Sequence, residues 1–371
     1  MPDLKHHQFM QRALDLARQG EGRTAPNPPV GAVIVKAGEI VGEGFHPQAG
    51  EPHAEIFALR QAGRKGQGGD IYVTLEPCSH HGKTPPCAAA LIAAGIKTVY
   101  VGVVDPNPQV AGKGIEMLQK AGIEVQIGIL EPECRRLIKP FEKHLSTGLP
   151  FTIYKAAMTL DGNTATAMGD SRWVSGVESR RQVHRLRNRV EAIMVGVGTV
   201  VNDDPLLNTR IADGSGRDPL RVVVDSQLRI SPDCRMLQQQ SGGKTLIATI
   251  SLEQTKIASL QNAGAEVVVF SADSGKVPLL ALWEELGRRN VQRLLLEGGS
   301  KLAEAALNGG LIDQLMLFVA PKLLGGSSMF GIFSGSGCAK MSAAIKLTDV
   351  CYQQVGEDLL ITGDIEPCLP D

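Results

Sequence analysis

The sequence carries no surplus of charge. Its 38 Lys and Arg residues balance 39 Asp and Glu, for a net charge of −1, so the electrostatic footprint of a nucleic-acid-binding protein is missing and no nucleic-acid partner is expected. No apolar run is long enough to span a bilayer, and the N-terminus lacks the apolar core of a signal peptide. No membrane association and a cytoplasmic location are therefore expected. The seven cysteines are an odd number without framework spacing, which fits a reduced compartment. No G-x-G-x-x-G opens a helix, so a dinucleotide site of the Rossmann kind is not signalled. Internal repeats and low-complexity tracts are absent. What remains is a globular composition, 43% hydrophobic, 21% charged and only 4% aromatic, over 371 residues. That length exceeds what one core usually organises and predicts two domains.

The first half alternates. A helix is predicted over 4–19, a strand, turn and strand over 30–45, and a helix over 53–61 ended by Gly63. A strand over 71–75, a helix over 86–94, a strand over 98–103, a helix over 114–121, a strand over 123–127 and a helix over 131–145 follow. Such alternation predicts a mostly parallel sheet with helices on both faces. Ser146-Thr147-Gly148-Leu149-Pro150 breaks the last helix, and the boundary is placed there: 1–147 and 148–371. The second half restarts with an apolar strand over 151–159. Further strands are predicted over 192–197, 221–224, 245–248, 266–270, 293–296 and 314–319, with helices over 178–189, 252–263, 277–288 and 300–307. It is another α/β domain with a different pattern.

Two short runs stand out in the first half, His53-Ala54-Glu55 and Pro77-Cys78-Ser79-His80-His81-Gly82-Lys83-Thr84-Pro85-Pro86-Cys87. One imidazole and two thiolates leave the fourth tetrahedral position of a zinc ion open, the arrangement of a catalytic site. Glu55 lies two residues past the histidine, near the metal yet free to move protons. This is the H-x-E…P-C…C signature of zinc deaminases, in which the glutamate is general acid and base. Two other readings stay open: small core cysteines beside a surface histidine, or a closed structural zinc using His80 or His81. The remaining cysteines, Cys134, Cys234, Cys338, Cys351 and Cys368, read as ordinary buried or tail thiols, and 366–371 as a loose end.

In the second half the informative pieces are two strands that run into glycines. Leu296-Glu297-Gly298-Gly299-Ser300 joins a buried strand to a helix start, where free N–H groups hold phosphate or where two backbones pack tightly. Gly196-Val197-Gly198-Thr199 leads to Asp203-Asp204-Pro205, acids that either cap a turn or grip a ligand. Arg180, Arg181, Arg185, Arg187, Arg189 and Arg210 read mostly as a solvated face, with one or two able to bind phosphate.

The eight-residue gap between Cys78 and Cys87 departs from the commonest deaminase spacing. With its Pro, His, Gly and Thr positions it resembles the deaminase domain of the bifunctional deaminase/reductases of riboflavin biosynthesis. Lys155-Ala156-Ala157-Met158-Thr159-Leu160-Asp161-Gly162, Ser171-Arg172-Trp173-Val174, the Asp203-Asp204-Pro205 run and Leu296–Gly299 look like the reductase domain of the same family. The resemblance implies a cytidine-deaminase-like three-layer α/β/α domain followed by a dihydrofolate-reductase-like α/β domain. It further implies zinc on His53, Cys78 and Cys87, with Glu55 catalytic. NADPH is expected to meet Ala157, Trp173, Thr199, Asp203, Ser226, Gly298 and Gly299. A pyrimidine ribosyl phosphate is expected to meet Asn27, His46, His80, Lys83 and Asp105 in the first domain, and Ser171, Arg187, Leu206, Arg210 and Glu297 in the second. Lys155 is expected near the reacting sugar. The implied chemistry is hydrolytic deamination of the diaminopyrimidinone, then reduction of ribosyl to ribityl. A homo-oligomer is the default for such enzymes. The rival function is a nucleoside or transfer-RNA deaminase with a non-catalytic second domain.

Overall fold

The structure, a computed structural model, describes residues 2–79, 85–108, 110–239, 242–272, 274–326 and 330–366. The chain divides into two compact units, Met1–Gly148 and Leu149–Asp371. In the first, the elements run α1 (Pro2–Ala17), β1 (Gly31–Lys36), β2 (Glu39–Phe45), α2 (Ala54–Ala62), β3 (Asp70–Leu75), α3 (Cys87–Ala93), β4 (Thr98–Val103), α4 (Lys113–Lys120), β5 (Glu124–Ile127) and α5 (Glu131–Thr147). The sheet order is β2-β1-β3-β4-β5. It is less parallel than the alternation predicts. The β1–β2 hairpin turns at Ala37 and Gly38, both with positive φ, and sets β1 antiparallel to β2 and β3; only β3-β4-β5 is parallel.

One face of this sheet buries Leu14 and Ala17 of α1 and Leu137 and Ile138 of α5 against Val33, Tyr72 and Tyr100. The other buries Ala58 of α2, Leu91 of α3 and Leu118 of α4 against Ile34, Ile71 and Val99. Each fully buried aliphatic side chain contributes roughly 1.5–3 kcal/mol. α2 lies unusually close to β2: a Cβ on Gly42 would stand 2.3 Å from the Ala58 carbonyl oxygen, and one on Gly44 2.4 Å from that of Ala54. Small residues on both sides, Gly42 and Gly44 against Ala54, Ala58 and Ala62, thus fix the height of the helix that begins beside His53. α5 passes through Ser146 and Thr147, whose hydroxyls donate back to carbonyls in the preceding turn, and stops only at Gly148 in the left-handed region.

The second unit runs β6 (Phe151–Thr159), α6 (Val177–Arg187), β7 (Ala192–Gly196), α7 (Val197–Asp203), β8 (Leu220–Val224), α8 (Arg235–Gln238), β9 (Thr245–Thr249), α9 (Gln254–Asn262), β10 (Ala265–Val269), α10 (Leu279–Arg288), β11 (Arg293–Glu297), α11 (Ser300–Asn308), β12 (Gln314–Ala320), β13 (Leu347–Val355) and β14 (Asp358–Ile365). Its nine-stranded sheet has the order β10-β9-β8-β7-β11-β6-β12-β14-β13. The strands are parallel from β10 to β12, and the final hairpin is antiparallel. α10 and α11 cover one face with Trp283, Leu286, Ala303 and Ala306; α7, α8 and α9 cover the other. The Trp283 indole N–H is satisfied by Thr152 Oγ1 at 2.8 Å. The short helices α7 and α8 and the β13–β14 hairpin were not foreseen. β13 is exposed along nearly its whole length, so its sequence lacks the two-residue alternation that marks a half-buried strand.

Candidate active site

In the first unit the C-terminal ends of β3 and β4 and the N-terminal end of α2 meet. Extended backbone at His53, the N-cap of α2, points its ring back toward the end of β3, while Glu55 falls in the first helical turn. Cys78 lies three residues beyond β3, and Cys87 opens α3. His53 Nδ1 is 3.6 Å from Cys78 Sγ and 3.3 Å from Cys87 Sγ, and the three ligand atoms lie within 4.8 Å of one another. It is the one such cluster among the described residues. The donor set, one imidazole nitrogen and two sulfurs around a common point, fits a zinc ion with a position left over. The Cys87 backbone N–H donates to Cys78 Sγ at 3.3 Å. Between the two thiols Cys78 ionises first, brought down to about 4 by the hydrogen bond from the Cys87 thiol and by His53, while that donation and burial push Cys87 up.

Glu55 is 3% exposed, and its Oε2 has no hydrogen-bond partner among the described residues. Burial raises its carboxyl to about 7, against the opposing pull of His53. A buried carboxyl with one oxygen unpartnered among the described residues and poised near neutrality fits proton transfer.

His46 is also buried, at 2% exposure, with its ring edge against His53. Both its nitrogens are engaged: Nδ1 with the Pro52 carbonyl at 3.0 Å and Nε2 with Asn27 Nδ2 at 3.1 Å. Because a carbonyl only accepts, Nδ1 carries the proton and Nε2 accepts from the Asn27 amide. His46 therefore orients Asn27 and leaves Asn27 Oδ1 as an acceptor. Asp105 sits past the end of β4, two residues from Asn107, whose N–H donates to its Oδ1 at 2.8 Å. His80, His81 and Lys83 lie outside the described residues.

In the second unit the carboxyl ends of the parallel strands share one edge. Lys155 on β6 is in register with Glu297 on β11, and Ala157 with Phe318 on β12. Arg187 pairs with Glu297 through both oxygens, at 3.0 and 2.7 Å, and donates to the Asn208 carbonyl at 3.0 Å. Burial alone would raise Glu297, but Arg187, with Lys155 behind it, holds it at about 2. Burial lowers Lys155, whose ammonium lies over the Phe318 ring. Arg187 and Glu297, expected as substrate contacts, thus give much of their polar surface to each other. Gly298 and Gly299 have φ of 73° and 78°, and α11 starts at the next residue. A Cβ on Gly298 would stand 3.1 Å from Thr199 Oγ1, and Gly299 approaches the Gly196 backbone. The two glycine runs therefore form one cradle. Ser226 stands two residues past the end of β8, and its Oγ accepts the Val277 N–H.

The Trp173 ring is 62% exposed, with the Arg180 guanidinium over it at 4.6 Å. Arg180 is thus packed against Trp173 and does not belong to the solvated face expected of most of these arginines. Lys322 donates to the Trp173 and Val174 carbonyls, and Arg172 to that of Asp203. Asp204 caps α7 in the left-handed region. Arg210 is exposed, and its backbone N–H donates to His184 Nδ1 at 3.2 Å. Leu206 and Ser171 are half-buried on loops. Cys134 and Cys234 are buried as expected, whereas Cys338 and Cys351 are exposed, and Cys368 lies outside the described residues.

Sequence reasoning missed three residues that hold this machinery: Glu76, His184 and Asp161. Asp161 accepts the backbone N–H groups of Leu324 and Gly325 at 2.9 and 2.7 Å. Glu76 had a signal, a charge set directly between a buried strand and Pro-Cys, and Asp161 stood in the Lys155–Gly162 motif with no role assigned to it.

Comparison with known proteins agrees with these two constructions. The family model for the cytidine and deoxycytidylate deaminase zinc-binding region matches residues 4–103, and that for the RibD C-terminal domain matches residues 150–361. The riboflavin biosynthesis protein RibD of Actinobacillus pleuropneumoniae is 44% identical over 353 residues, covering 95% of this chain and 93% of that one. The RibD of Escherichia coli is 42% identical over 364 residues, covering 95% and 97%. Among solved structures, a diaminohydroxyphosphoribosylaminopyrimidine deaminase/5-amino-6-(5-phosphoribosylamino)uracil reductase from Thermotoga maritima superposes with TM-score 0.85 at 37% identity, covering 99% and 100%. Acinetobacter baumannii RibD gives 0.84 at 39%, covering 98% and 99%.

Proposed function

We propose a two-step enzyme for this chain, which belongs to the RibD family of riboflavin biosynthesis proteins. The first domain, placed at residues 1–147, deaminates a diaminopyrimidine ribosyl phosphate; the second, placed at 148–371, reduces the ribosyl group of the resulting aminouracil with NADPH. The observation that carries the first step is the buried Glu55, one of whose oxygens has no partner among the described residues, beside the His53–Cys78–Cys87 triad. Zinc held by these three side chains supplies the Lewis acid that makes water a nucleophile at neutral pH. Glu55 takes the proton that water loses as its oxygen bonds the ring carbon. The same carboxyl returns that proton to the exocyclic nitrogen as the C–N bond breaks, and ammonia leaves in place of an amide anion. Asn27, oriented by His46, presents an acceptor to the substrate, and Asp105 approaches from the β4 side. His80 and Lys83 complete the substrate contacts, with Lys83 a phosphate partner.

For the second step, NADPH bound in the second unit would supply the hydride that reduces the open-chain imine of the ribosyl group. The Gly298–Gly299 cradle and the start of α11 hold its phosphates, with Ala157, Trp173, Thr199, Asp203 and Ser226 around it. Lys155 lies behind the reacting sugar, where Glu297 and Arg187 keep the charges balanced. Ser171, Leu206 and Arg210 border the substrate, and the exposed guanidinium of Arg210 suits its phosphate. The substrate is a small molecule, and the balanced charge offers no footprint for a nucleic-acid partner. Treatment with a zinc chelator tests the division of labour. Ammonia release should stop while NADPH oxidation with the deaminated substrate continues; loss of both, or of neither, contradicts it.

A further inference from the structure

Glu76 ends the apolar run of β3 and stands two residues before the ligand Cys78, buried at 4% exposure. Its carboxylate accepts four backbone N–H groups. Oε2 takes those of Asp105 at 3.2 Å and Gly112 at 3.0 Å; Oε1 takes those of Gly114 at 2.9 Å and Ile115 at 3.2 Å. Three of these belong to the N-cap and first turn of α4, whose own N-cap, Gly112, offers no side chain. Glu76 therefore caps α4 from a neighbouring strand, where a negative charge is favoured. The fourth belongs to the loop that carries Asp105. A backbone joint completes the assembly, since a Cβ on Gly114 would stand 1.9 Å from the Pro77 carbonyl oxygen. The residue preceding Cys78 thus touches α4 directly.

We propose that Glu76 is a positioning residue for deamination. Its carboxylate locks the Cys78 loop, the Asp105 loop and the start of α4 into one piece, so that a metal ligand and a substrate contact keep their spacing. The inference rests on the deaminase reading. The geometry requires a carboxylate, because each oxygen accepts two N–H groups. A glutamine would turn an NH2 toward two of the four donors and break half of the lock.

The test compares the full-length wild type with Glu76→Gln and Glu76→Asp. Zinc affinity is measured by chelator competition, the d–d spectrum after cobalt substitution, and kcat and KM by ammonia release. NADPH oxidation with the deaminated substrate reports folding of the chain. Glu76→Gln should keep the reductase activity, bind zinc roughly 10–100-fold more weakly, shift the cobalt bands and raise KM. Glu76→Asp should recover part of each. A variant that is less heat-stable but retains wild-type zinc affinity, cobalt spectrum and KM would overturn the proposal. If neither variant folds, amide exchange on the wild type decides. The N–H groups of Asp105, Gly112, Gly114 and Ile115 should be protected, and exchange at open-loop rates would overturn the role. Wild-type protein that binds zinc and releases no ammonia would sink the deaminase reading instead, leaving zinc affinity and the cobalt spectrum to judge Glu76.

Discussion

Glu55 and its three metal-binding neighbours are the residues on which function turns. Glu55→Ala removes proton transfer but no ligand, so zinc content should remain and deamination should fall by about 10²–10⁴-fold; a near wild-type rate would assign the proton transfer elsewhere. The His53–Cys78–Cys87 cluster was legible because ligand types and spacing point to a metal site without reference to the fold, and the proton-transfer role proposed for Glu55 is what this variant tests. His46 was not legible in that way. Its sequence shows a histidine near the site, and only the structure shows both nitrogens engaged. Arg187 and Glu297 are a similar case, since their pairing spans 110 positions of sequence. Arg187→Ala would strand a buried carboxylate and should cost about 3–5 kcal/mol, read from the urea midpoint of the second unit. His184 gives a pH signature. Burial, with Arg187 and Arg210 adding, holds it at about 4, below its ordinary 6.5. The unfolded chain binds this proton between those values and the folded chain does not, so the stability is fully present above the higher one and is lost as pH falls toward the lower. The melting temperature should therefore fall between pH 6.5 and pH 4, and His184→Asn should flatten that slope.

At the scale of elements, placement depends on close approach as much as on pattern. Periodicity located α2, β3 and α3 to within a residue or two, but not the height of α2 above the sheet. Gly42 and Gly44 set that height, and a strand glycine reads from sequence only as a weakness. Gly44→Val should push α2 outward and carry His53 and Glu55 with it. Zinc affinity and deamination should then fall together, unlike Glu55→Ala, where zinc stays. The Gly298–Gly299 corner was visible as a strand running into glycines, though its partner Thr199 was not placed against it by sequence pattern. Gly298→Ala forces a side chain into the left-handed region, at roughly 1–2 kcal/mol, and toward Thr199. KM for NADPH should rise while ammonia release is unchanged. β13 escaped notice because an exposed edge strand has no buried face to betray it, and α7 because its glycine and β-branched residues disfavour a helix on propensity alone.

For the whole molecule, length and the restart of strand pattern at Phe151 predict two domains, and the structure forms two compact units, Met1–Gly148 and Leu149–Asp371. Each unit has its own cores and its own edge of strand ends bearing polar groups. Two consecutive reactions on one chain are the natural consequence. The most direct measurement follows ammonia release and NADPH oxidation together, with zinc-loaded protein and the diaminopyrimidine ribosyl phosphate, beside Glu55→Ala. The wild type should show both signals in that order, and the variant should oxidise NADPH only when given the deaminated intermediate. Ammonia without NADPH oxidation, or NADPH oxidation by the variant from the undeaminated substrate, would contradict the account.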